Sequence, residues 1–69
     1  MGSFLVSEKS EGRAWAIDSW ENDRGVAEGR AAQLVTKPFM SEAASVTEVG
    51  GSGEEPTFTS VAITTRRPQ

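Results

Sequence analysis

The sequence predicts an α+β fold. A four-stranded antiparallel sheet carries one helix on one face, a small two-layer sandwich in the order β-β-α-β-β. Three observations predict it. Two short apolar runs flank a glycine-containing polar turn near the N-terminus. The apolar period changes from two to 3.6 after Ser19. The stretch Thr57–Thr65 is dense in β-branched residues, as strands are. The rival is a small all-β barrel in which residues 30–39 form a strand. The glycines before Arg30 favour the barrel and the helical period opposes it.

Phe4-Leu5-Val6-Ser7 reads as the first strand, followed by a polar loop, Glu8 to Gly12, in which Gly12 can take a positive φ. Arg13 to Asp18 reads as the second strand, and Trp15 and Ile17 share one of its faces. Ser19 is the expected N-cap. Glu21 and Asp23 then fall in the first turn, where carboxylates meet the positive end of the helix dipole. Trp20, Ala27, Ala31, Leu34 and Val35 line up as one apolar stripe, with Arg24 at its edge. The helix is expected to end near Thr36, ahead of Pro38. On this reading Trp15 and Trp20 both point into one core.

Gly25 and Gly29 fall opposite the stripe and make the back of the helix small and flat. Ser41 is read as the cap of a short turn in the connector that follows. Ala44–Val49 is the third strand, Gly50–Pro56 a flexible loop and Thr57–Thr65 the fourth strand. In strict alternation Val61 and Ile63 share one face of the last strand, and Phe58 and Ala62 the other. The face left open by the helix is expected to carry Leu5, Ala14, Ala16, Phe58 and Ala62. Residues 1–69 form a single domain, in which Met1-Gly2-Ser3 has the form of a cloning remnant and residues 66–69 a frayed tail.

Composition narrows the function. With no cysteine and no histidine, the chain offers no disulfide, no thiolate metal site and no imidazole base. Tyrosine is also absent, and carboxylate pairs such as Glu54-Glu55 would need a cleft that a domain this small can hardly build. No enzyme activity, metal or other cofactor is expected. Asp18 to Asp23 lacks the spacing and glycine of a calcium-binding loop. Gly50 to Gly53 lacks the lysine and hydroxyl of a phosphate loop. The Gly25-to-Gly29 spacing lies outside any apolar run long enough to span a bilayer. The first residues lack the basic and apolar regions of a signal peptide, and the absence of cysteine favours a cytoplasmic setting.

Ten acids face seven bases, a net charge of −3, and two of those bases, Arg66 and Arg67, sit in the tail. Nucleic acid is therefore a poor partner, although Phe58 could stack a base. The expectation is a non-enzymatic protein–protein interaction protein. Its sharper form is a small acidic inhibitor or decoy that occupies a basic surface of a nucleic-acid-handling complex. In size, acidity and lack of catalytic side chains it is similar to phage-encoded anti-restriction and anti-CRISPR proteins. The alternative is an accessory subunit or homodimeric module that pairs through its open sheet face. Candidate contact residues are Glu21, Asp23 and Glu28, the two helix glycines Gly25 and Gly29, and Phe58.

Overall fold

In the computed structural model, residues 3–66 are described. Strands β1 (Ser3–Lys9) and β2 (Trp15–Glu21) form a hairpin, helix α1 (Arg24–Leu34) follows, and β3 (Ala43–Gly51) and β4 (Pro56–Thr65) form a second hairpin. The sheet order is β2-β1-β3-β4, and every neighbouring pair is antiparallel. The helix carries the chain from the edge strand β2 across the sheet, so that β3 pairs with the free side of β1. The sheet is open, with β2 and β4 at its edges, and residues 30–39 are not a strand. The α+β sandwich stands and the barrel does not.

Each turn has a local cause. In the first hairpin the Arg13 amide donates to the Ser10 carbonyl at 3.0 Å. Gly12 takes φ 77° there, a conformation that costs glycine little. In the second, Gly51 adopts φ 78° with its α-carbon turned toward the Glu55 carbonyl, so a side chain would not fit.

The core is thin. Val6 and Val46 from the central strands, with Ala44, meet Ala27, Ala31, Leu34 and Val35 from the helix side. Phe4, Val61 and Ala62 pack around them. Two alanines at the contact let α1 lie close to the sheet, as small side chains do.

Several expectations change here. The helix begins at Arg24, and its N-cap is Asp23, whose Oδ1 accepts from the Gly25 amide at 2.7 Å. Ser19, Trp20 and Glu21 belong to β2. The helix stops at Leu34, two residues short of Thr36, and Ser41 is a buried residue whose amide donates to the Leu34 carbonyl at 2.8 Å. Glu8 and Lys9 extend β1, and Ser3 pairs with Val49 as a strand residue. Arg66 is anchored: its amide reaches the Glu42 carbonyl and its guanidinium the Met40 carbonyl, both at 2.9 Å. Met1, Gly2 and residues 67–69 lie outside the described residues.

The two faces of the sheet differ because both edge strands carry a bulge. Opposite the Val6–Ser7 step of β1, strand β2 inserts Asp18. Opposite the Val46–Thr47 step of β3, strand β4 inserts Val61. One inserted residue reverses the phase of everything beyond it.

Candidate functional site

Residues directly opposite in a ladder share a face, so the register assigns each side chain. Toward the helix lie Val6, Val46 and Ala62 in one row with Ser19. Glu8 with Ala44, and Glu21 and Glu48 with Phe4, share that side. Away from the helix, three rows cross the whole sheet. They are Trp15–Lys9–Ala43–Thr65, Ile17–Ser7–Ser45–Ile63 and Trp20–Leu5–Thr47–Ser60. Val49 and Phe58 stand opposite one another beyond the last.

This open face holds a concentrated apolar surface. Relative exposures are 48% for Trp15, 63% for Ile17, 55% for Trp20, 65% for Phe58 and 67% for Ile63. Scattered exposed hydrophobics are ordinary, but five large ones on one face of one sheet are not. They stand on the two edge strands, while the central strands between them present mainly small residues and Leu5.

Charge sorts the opposite way. The strand carboxylates Glu8, Asp18, Glu21 and Glu48 all lie on the helix side, and among the described strand residues the open face carries one charged side chain, Lys9. That ammonium is held by Glu42 at 2.7 Å, which keeps the Glu42 carboxyl below its ordinary pKa. On the helix side Asp18 takes two hydrogen bonds from Arg30, at 2.8 and 3.1 Å. These bonds lower the Asp18 pKa against the opposing effect of burial. The same guanidinium lies over the Phe39 ring, 5.0 Å from its centre.

The candidate contact residues divide between the two sides. Glu21, Asp23, Gly25, Glu28 and Gly29 gather around the start of the helix. Two of the acids have work within the chain: Asp23 caps the helix, and Glu28 accepts from Arg24 at 2.6 Å. Phe58 lies on the other side of the sheet, apart from them. There it is joined by Trp15, Ile17, Trp20 and Ile63, which sequence reasoning missed as surface residues. Both tryptophans face outward, and the expectation that they share the core is overturned. The bulge at Val61 also parts the expected pairs. Val61 packs inward while Ile63 faces out, and Phe58 faces out while Ala62 faces in. Ala16 falls on the helix side as well.

A concavity of about 490 Å³ lies where the helix end meets the last residues of β4 and is lined by Val35, Met40 and Arg66 among others. Arg66 is already engaged there, bonding the Met40 carbonyl and, at 3.4 Å, Glu11. Among the described residues no three His, Cys, Asp or Glu side chains gather as metal ligands, and no helix is long and apolar enough to cross a membrane.

No protein-family model matches the chain, and no curated protein or solved structure matches it either.

Proposed function

We propose that this is a non-enzymatic protein-interaction module whose working surface is the open face of its sheet. The observation that supports the reading is the sorting of side chains. Trp15, Ile17, Trp20, Phe58 and Ile63 stand exposed on one side, and the strand carboxylates stand on the other. Aromatic residues on a surface cleared of charge are what the centre of a protein interface requires. A cytoplasmic setting belongs to the same proposal and rests on the cysteine-free composition alone.

The decoy reading places the contact on the acidic helix side instead. It draws support from the net charge of −3, but Asp23 and Glu28 already satisfy partners within the chain. The three outward aromatics also offer a stacking platform for single-stranded nucleic acid. Phosphate would need cations beside that platform, and Lys9 is neutralised by Glu42.

Three samples separate these readings: the native chain, an Ile17→Lys/Ile63→Lys variant and a Glu21→Lys/Glu28→Lys variant. Each is immobilised and exposed to extract from the native host. A protein lost only by the isoleucine variant supports the sheet-face reading. One lost only by the glutamate variant supports the decoy. Quenching of tryptophan emission by short oligonucleotides at moderate salt would move the function to nucleic acid.

A further inference from the structure

We infer that the partner of the open face is a second copy of this chain, stacked sheet on sheet. The inference rests on the sheet-face reading and names its occupant.

The register supplies the first argument. A two-fold axis running along the strands, between β1 and β3, lays β2 of one copy over β4 of the other and β1 over β3. Each row across the sheet then meets its own reverse. Trp20 comes over Ser60 of the other copy, Trp15 over Thr65, and Leu5 over Thr47, while Ile17 meets Ile63. Three large side chains face small ones and one pair is matched in size. Interdigitation of this kind lets two inner faces close to about 10 Å. The bulges create the match: without Asp18 and Val61 as inserted residues, the outward sets of β2 and β4 would change phase part-way along.

Area supplies the second. An aromatic side chain covers about 150–250 Å² and isoleucine somewhat less, so the five exposed side chains leave roughly 500–600 Å² per copy. Two copies hide about twice that, close to the lower bound of roughly 1,200 Å² for a stable interface. Leu5, Val49 and the hydroxyl residues of the central strands add the remainder.

Charge supplies the third. Each copy carries −3, so association through the helix sides would set Glu8, Glu21, Glu28 and Glu48 against their like. Stacking through the open faces keeps all of them on the outside of a four-layer assembly. Lys9 carries its counter-ion, Glu42, within its own copy.

Sedimentation equilibrium from micromolar to millimolar concentration tests the inference. The native chain is expected to be a concentration-dependent dimer. Ile17→Lys alone is expected to weaken it about 30-fold or more, while Glu28→Lys leaves it intact. Ile17 is exposed in the single chain, so the variant should keep its folded circular dichroism. The pairing itself is tested with cysteines, which the chain lacks. A mixture of Ile17→Cys and Ile63→Cys chains should be joined by a short bis-maleimide, and Ile17→Cys chains alone should not. Efficient joining of residue 17 to residue 17 would overturn the axis. A native chain that stays monomeric at millimolar concentration overturns self-pairing. If that monomer binds anilinonaphthalene sulfonate and the Ile17→Lys/Ile63→Lys variant does not, the face still serves a different protein. If neither binds the dye, the sheet-face reading falls too.

Discussion

Asp18 and Arg30 join the bulge of β2 to the middle of α1 through two hydrogen bonds of 2.8 and 3.1 Å. The pair fixes more than the helix. With Asp18 turned to the helix side, Ile17 and Trp20 both face outward, although they stand three positions apart. Val61 plays the corresponding part in β4, and its carbonyl lies 3.5 Å from the Arg24 guanidinium at the other end of the helix.

Removing the Asp18 charge should loosen this join. The carboxylate side chain is 13% exposed and its partner 32%, so the pair is only partly screened. Asp18→Asn is expected to cost about 1–2 kcal/mol, read as a loss of roughly 4–16 °C in melting temperature. The folded Asp18 pKa is depressed below its ordinary value of 3.8, chiefly by the Arg30 hydrogen bonds. Its contribution is therefore complete above the unfolded pKa and is lost as pH falls through the folded one. Melting curves of native and variant chains should differ at pH 6 and draw together as pH falls through and below the ordinary carboxylate range. An equal gap at both pH values would show that the charge is not the cause.

Ser19 gives a sharper contrast. Read from sequence it is the helix cap, and Ser19→Ala would then cost about 1 kcal/mol. In the structure its Oγ is buried beside the Asp18 carboxylate, which it reaches only weakly, since that carboxylate turns to Arg30 and no well-formed hydrogen bond holds the hydroxyl. Ser19→Ala is expected to be neutral or to stabilise by up to about 1 kcal/mol, since an unsatisfied buried hydroxyl costs free energy. Urea denaturation decides the sign. Asp23→Ala, in the same assay, should show the capping loss.

Gly29 sits on the exposed back of α1, and a β-carbon there would meet nothing within 4 Å. Gly29→Ala is expected to raise stability by about 0.5–1 kcal/mol through helix propensity. At Gly25 a β-carbon would come within 3.2 Å of the capping Asp23 Oδ1, so the same change there should gain less. If the two glycines instead form a close-approach seam for a partner, Gly29→Ala will weaken association, and sedimentation of the variant will reveal it.

The layer order was legible in the sequence because helix and strand periods are strong local signals. Ala27, Ala31 and Leu34 were found on the buried stripe by their spacing alone. The facing of the edge strands was not legible, because an inserted residue such as Val61 has no compositional mark and reverses the alternation around it. The start of the helix was misplaced for a related reason. Ser19 and Asp23 are both good caps, and only the pairing of Trp20 with Leu5 and of Glu21 with Phe4 keeps those residues in the sheet.

The central claim is that the indoles of Trp15 and Trp20 lie on the uncovered side of the sheet. Acrylamide quenching of tryptophan emission in the Ile17→Lys/Ile63→Lys variant, which is expected to be monomeric, measures it directly. Both indoles are predicted to be quenched readily, at a substantial fraction of the rate in the urea-unfolded chain, in keeping with their relative exposures of 48% and 55%. An indole shielded in the folded variant, with blue-shifted emission, would contradict it.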